Sequence, residues 1–207
     1  MLVLASASPR RRELLTQAGF TFSIQPAHIP EDPHESEDPI AHVVRLAREK
    51  AEVVFRSAVD RGQGTASSGP GELVVLGADT TVTLDGLILG KPEDTADAAR
   101  MLRMLAGRTH LVITGVAVVT AKHTEVAAEV TAVRFLSLSD AEIAEYIATG
   151  ESMDKAGAYA IQGRAAKWIP RIDGDYFNVV GLPLALVSTM LESAGLRASE
   201  ARTTGDR

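Results

Sequence analysis

Apolar positions divide this chain into short runs separated by clear turn and cap signals. Met1–Ala5 is apolar throughout and reads as a buried strand, followed by a helix start with Ser8 as N-cap. Pro9 takes the first helical position, where its missing N–H costs nothing. That helix runs to about Ala18 and stops at Gly19; Thr21–Gln25 is a second strand, and a polar loop continues through Pro39. Val43, Ala47, Ala51 and Val54 recur at helical spacing, predicting an amphipathic helix over Ile40–Arg56. Arg61–Glu72, rich in Gly and Ser, reads as a mobile surface loop within one domain.

Leu73–Thr83 is a strong strand that Asp85-Gly86 turns into Leu87–Leu89. Asp94–Leu105 is a helix, and His110–Thr120 with Glu125–Ser137 form a hairpin across Ala121–Thr124. Ser139 with Glu142 three residues on is a capping box for a helix over Ser139–Thr149. Trp168–Ile172 reads as a strand and Pro183–Ala194 as the last helix. Helices intermix with hairpins, so the expected fold is α/β: a mixed, twisted central sheet flanked by helices. Residues 1–196 are expected to form a single domain, and 197–207 a polar, frayed tail.

Composition narrows the class. At 207 residues and 45% apolar, the chain can bury a sizeable core, and its low aromatic content makes that core mainly Ala, Val, Leu and Ile. There is no cysteine, which excludes disulfides and thiolate metal sites and fits a reducing, cytoplasmic compartment. No apolar run approaches a membrane span, and the amino-terminal run is too short for a signal peptide. A formal charge of −6 disfavours a nucleic-acid polymer as partner but allows a local basic pocket for a small anion.

Five stretches could carry chemistry. Ser6-Ala7-Ser8-Pro9-Arg10-Arg11 lies where a strand gives way to a helix N-terminus. There unpaired N–H groups, the helix dipole and forked guanidiniums all favour phosphate; solvated surface arginines are the bland alternative. Asp79 ends the apolar run Val74–Ala78 at the carboxyl end of a strand, where open α/β sheets hold ligands, with the Thr80 and Thr81 hydroxyls after it; a loop-capping Asp is the common alternative. Lys50 borders the apolar stripe of its helix, either snorkelling to water or pointing into an anionic cleft. Gly90-Lys91-Pro92 resembles a P-loop but lacks a spacer residue and the metal-binding hydroxyl, leaving Lys91 as a single point charge. In Asp154–Gly163, small residues permit close backbone approach, and the Gln162 amide could match a pyrimidine edge, although a structural turn is the simpler reading. Glu31, Asp32 and Asp79 could hold magnesium through one or two oxygens.

Taken together, Leu4–Arg11, Arg45–Ala51, Leu76–Thr80, Leu89–Pro92, Met153–Gly163 and Ile172–Tyr176 with Val180–Pro183 resemble the Maf family of nucleoside triphosphate pyrophosphatases. The similarity runs in order from residue 2 to about 195. It implies two lobes around a cleft, as in the ITP pyrophosphatases, a homodimer, and cleavage of a nucleoside triphosphate to monophosphate and pyrophosphate. It also implies a divalent cation, magnesium or manganese. By this resemblance Asp79 is the catalytic carboxylate, the proton acceptor for water, and Glu31 and Asp79 are the metal positions. Ser8, Arg10, Arg11, Lys50, Thr80, Lys91, Lys155 and Gln162 are the substrate-binding set, with Arg10, Thr80 and Gln162 bearing on base preference. The Asp79-Thr80 pair with Asp154–Gly163 resembles the subgroup that prefers dTTP and UTP. Two competing expectations are a non-catalytic cell-division regulator and a pyrophosphatase for deaminated purines such as ITP and XTP.

Overall fold

A computed structural model describes residues 1–62 and 72–198. Most of the loop expected at 61–72 and most of the tail expected at 197–207 lie outside the described residues. In chain order the strands are β1 (Leu2–Leu4), β2 (Phe22–Ile24), β3 (Val74–Leu84), β4 (Leu87–Leu89), β5 (Thr109–Val119), β6 (Thr124–Arg134) and β7 (Arg171–Asp173). The helices are α1 (Pro9–Gln17), α2 (Pro39–Asp60), α3 (Thr95–Leu105), α4 (Asp140–Ile147), α5 (Tyr176–Val180) and α6 (Leu184–Ser193).

One mixed sheet runs β2-β1-β3-β5-β6-β7, with β1 parallel to β2 and β3 and the remaining pairs antiparallel. β3 is the pivot. One of its edges pairs with β5 over Val75–Thr83. Its other edge is shared: β1 takes Val74–Leu76, and β4 takes Val82–Leu84.

Successive side chains of a strand face opposite sides of the sheet, and the core follows that alternation. Leu2, Leu4, Val74 and Leu76 pack under Leu14 and Leu15 of α1 and Val187 and Leu191 of α6. Val3, Val75 and Ala117 pack under Ala47, Ala51 and Val54 of α2. Beyond the middle of β3, Val82, Leu84, Leu89 and Val112 form a second lobe with Leu102, Leu105 and Ile143. There Phe135 meets Tyr159 and Tyr146 meets Trp168 edge to face, and Phe135 tilts against Trp168, tying four aromatic side chains into one cluster.

Local signals account for the element ends. Ser8 Oγ accepts the Arg11 N–H at 3.4 Å, Asp38 Oδ1 accepts Ile40 and Ala41 N–H groups, and Ser139 and Glu142 form both halves of a capping box. α2 continues to Asp60, one turn past the expected end, because Ala58 is still buried against the sheet. The strand expected at Trp168–Ile172 begins only at Arg171: Arg164–Trp168 is a 3₁₀ turn that drives Trp168 into the aromatic cluster, and Pro170 offers no N–H to a ladder. α5 was not expected at all, since it is a single turn capped by Asp175.

Candidate active site

The cleft opens where β3 lacks a neighbour. Between the ends of β1 and β4, residues 77–81 of β3 have one unpaired edge, and Asp79 sits at its centre. Asp79 shares its face with Gly77, and α2 lies directly on that face. A Cβ on Gly77 would stand 2.2 Å from the Ala47 carbonyl oxygen, and one on Gly115 2.3 Å from that of Val43. Two glycines therefore let backbone rest on backbone. This close seating brings Lys50, between Ala47 and Ala51 in the helix, under the sheet at only 7% exposure. Its ammonium lies 2.7 Å from Asp79 Oδ1 and 2.6 Å from Glu31 Oε1. The lysine that bordered the apolar stripe thus points into the cleft and bridges two carboxylates.

Glu31 reaches Lys50 from the polar loop, which is pinned by a second cluster. Arg45 of α2 grips Glu37 through two contacts of 2.7 Å and donates to the Asp32 carbonyl at 3.2 Å, while His42 Nδ1 lies 3.0 Å from Glu37. The Arg45 fork holds the Glu37 carboxyl far below the ordinary carboxylate range, against a smaller desolvation effect. Burial raises the Glu31 carboxyl, but the Lys50 hydrogen bond and charge, aided by Lys91 and Arg11, outweigh it and leave the group below its usual value.

On the opposite face of β3 the arginines divide. Arg11 is inward: Nε donates to the Gly181 carbonyl at 2.8 Å, Nη1 to the Ala78 carbonyl at 2.8 Å and to Ser6 Oγ at 3.3 Å, and Nη2 to Thr80 Oγ1 at 2.9 Å. The Ala78 carbonyl points to the unpaired edge of β3, so this guanidinium replaces the missing strand. Burial lowers its pKa, with Asp79 opposing the effect. Arg10 is half-buried at the mouth of the helix, at liberty to turn to a ligand. The strand-to-helix turn offers both guanidiniums to phosphate, but the structure commits Arg11 chiefly to the protein.

A cavity of about 640 Å³ collects every residue expected in the site. Arg10 and Asp79, from different elements, line the same space. Lys91 enters on the loop after β4, which the Gly157 N–H ties to the Gly90 carbonyl at 3.1 Å. Lys155 comes from the same segment as Gln162, and its ammonium pairs with Asp154 at 2.5 Å. Thr80 Oγ1 is also linked to Thr114 Oγ1 at 2.9 Å, and Thr114 donates to the Asn178 carbonyl at 3.2 Å. Thr114, Asn178, Glu37 and His42 escaped sequence reasoning. A buried threonine amid β-branched strand residues carries no mark of a polar role, and Glu37 faces Arg45 only once the loop folds back.

The donor set suits a hard cation in part. Two carboxylates meet at one ammonium, and a magnesium-sized ion needs one or two carboxylates with phosphate and water completing its shell. Among the described residues no group of three or more acidic or histidine side chains is placed to hold a metal unaided. Nor is any described helix long and apolar enough to cross a membrane.

An α/β protein with a cleft at an interrupted sheet edge, cationic along its walls and carboxylate-bearing at its floor, is built for a small polyanionic ligand. The chain belongs to the Maf family: the model of Maf-like proteins matches residues 1–194. It is 51% identical over 195 residues to a dTTP/UTP pyrophosphatase of Koribacter versatilis, covering 94% of this chain and 95% of that protein. It is 46% identical to one of Bacillus pumilus, covering 94% and 97%, and 50% identical to one of Myxococcus xanthus, covering 95% and 93%.

Proposed function

We propose that this protein hydrolyses dTTP and UTP to the monophosphate and pyrophosphate. The observation that carries the proposal is the convergence of the Lys50–Asp79–Glu31 cluster with Arg10, Lys91 and Lys155 on one cavity of nucleotide size. Relatives at about half identity over nearly their whole length carry that activity in their names.

Water attacks the α-phosphorus, its oxygen forms the new bond, and the α–β bridging oxygen leaves with pyrophosphate. Asp79, on the cavity floor, orients the water and accepts its proton. Lys50 holds the Asp79 carboxylate in place, and Arg10, Lys91 and Lys155 offset charge on the triphosphate, the main requirement of phosphoryl chemistry. Ser8 adds a hydroxyl and a helix start beside them. Glu31 and Asp79 would hold the divalent cation that the family implies. Bound there, it would draw charge from phosphate oxygens and make water more acidic. Gln162 and Thr80, which line the same cavity, would meet the base.

Purified protein with magnesium or manganese and a panel of dTTP, UTP, dCTP and ITP tests the reading. Equal release of pyrophosphate and monophosphate from dTTP and UTP is expected. Release from ITP alone would assign a purine-cleansing role, and no release from any would leave a binding protein.

A further inference from the structure

The hydroxyl of Thr80 has few choices. Arg11 Nη2 donates to it at 2.9 Å, and a guanidinium has nothing but protons to offer. Across the strand pair, Thr80 stands directly opposite Thr114, and their hydroxyl oxygens are 2.9 Å apart. Either could supply the proton of that bond, but Thr114 has a second obligation. Its hydroxyl, wholly buried, donates to the backbone carbonyl of Asn178 at 3.2 Å. That carbonyl lies inside a fully buried residue, where an unmade hydrogen bond is costly. A hydroxyl has one proton. Thr114 spends its own on Asn178, so Thr80 must donate to Thr114.

Asn178 is itself fixed: its side-chain amide donates to the Val112 carbonyl at 3.0 Å and to Thr131 Oγ1 at 2.9 Å. The other nearby acceptor, the Gly181 carbonyl, takes the Arg11 Nε proton at 2.8 Å and lies 3.4 Å from Thr80 Oγ1, so the shorter path of the Thr80 proton is to Thr114 at 2.9 Å. Thr80 therefore receives one proton from Arg11 and gives its own inward, keeping one lone pair unused. Thr80 lines the cavity, and the wall beside its hydroxyl is Gly181, where even an added Cβ would stay 3.6 Å away.

We infer that Thr114 is a positioning residue for substrate selectivity: it fixes the proton of the Thr80 hydroxyl inward, so that the cavity meets an acceptor there. This rests on the pyrimidine nucleotide reading above and adds a polarity to it. An acceptor at that point complements the imide N–H shared by thymine and uracil. Cytosine has a lone pair at the same ring position, and two acceptors face each other without a proton between them. Sites built to hydrogen-bond one pattern reject the other strongly, because buried polar groups are left unpaired.

The test uses Thr114→Val, which keeps shape and removes the hydroxyl, beside Thr114→Ser, which restores it. Affinities for the α,β-methylene analogues of dTTP and dCTP are measured by calorimetry, with pyrophosphate release from the parent nucleotides measured in parallel. Wild type is expected to favour the thymine analogue by at least roughly tenfold, the scale on which one matched hydrogen bond discriminates. In Thr114→Val the Thr80 proton is released, and that ratio should fall severalfold toward unity, while Thr114→Ser keeps it within about twofold. Circular-dichroism melts of each variant identify a loss of folding separately, so the ratio is read only from folded protein. An unchanged ratio in Thr114→Val overturns the inference, as does a wild type without thymine preference. Because the ratio is read from binding, it stands apart from catalysis: selective binding without pyrophosphate release would sink the enzymatic reading and keep this one.

Discussion

Arg10 and Arg11 look interchangeable in sequence, and replacing each by lysine should separate them. Arg11 makes four hydrogen bonds to acceptors on three separate segments: Ser6, the Ala78 and Thr80 pair on β3, and the Gly181 carbonyl. A lysine ammonium places its donors at one point and cannot span the Ala78 and Gly181 carbonyls that Nη1 and Nε serve together. Two buried acceptors left without a charged donor, at roughly 1.5–3 kcal/mol each, put the cost of Arg11→Lys near 3–6 kcal/mol. For a chain of this size each kcal/mol moves the melting temperature by about 2–4 °C, so a drop on the order of 10 °C is expected. Arg10→Lys should melt within about 2 °C of wild type, as ordinary surface changes do. Its effect should appear as a higher KM for nucleotide, since a point charge replaces a fork. Thermal melts followed by circular dichroism, with steady-state kinetics on the same preparations, read both. If Arg11→Lys melts with wild type and instead raises KM as Arg10→Lys does, then Arg11 is a substrate ligand and the strut argument fails.

Other consequences follow from the same geometry. Gly77→Ala places a Cβ 2.2 Å from the Ala47 carbonyl, so α2 must withdraw by roughly 1 Å and take Lys50 with it. A displacement of that order costs about a hundredfold in kcat/KM, together with measurable destabilisation; near-wild-type rates would show that α2 does not set the Lys50–Asp79 contact. His110 is buried beside Tyr159, and burial lowers its pKa from 6.5 to about 4. The unfolded chain therefore binds the extra proton between those values. Stability from this group is complete above about pH 6.5 and declines as pH falls toward 4, by about 3 kcal/mol in total. Urea melts between pH 7.5 and 4.5 should show that slope, and His110→Gln should flatten it. Glu37→Gln loosens the loop that carries Glu31 by breaking the largely buried Arg45 fork, and should lower both kcat and the melting temperature; unaltered kcat would detach the loop anchor from catalysis.

Elements with strong local chemistry were legible in sequence. The Ser8-Pro9 start, the apolar stripe of α2, the capping box at Ser139 and the Asp85-Gly86 turn each fold as their residues dictate. The Trp168 region was not, because an apolar run before a proline reads as strand until the aromatic cluster claims it. At the cleft, the residues that come to share one cavity could be picked out in advance, but not which of them pair with one another. Lys50 could equally have faced solvent, and only the contact allowed by Gly77 and Gly115 turns it inward. Arg11 could equally have met phosphate. What assigns it to the protein is the unpaired edge of β3, a consequence of β1 and β4 dividing one strand edge between them. No local pattern encodes such a gap.

The most direct trial of the whole account is turnover of dTTP by Asp79→Asn, with nucleotide binding followed in the same protein by calorimetry. Nucleotide should still bind while pyrophosphate release disappears, because the amide keeps the shape of the cavity floor and cannot take a proton from water. Release at close to the wild-type rate would mean that the chemistry lies elsewhere and that Asp79 is only a partner for Lys50.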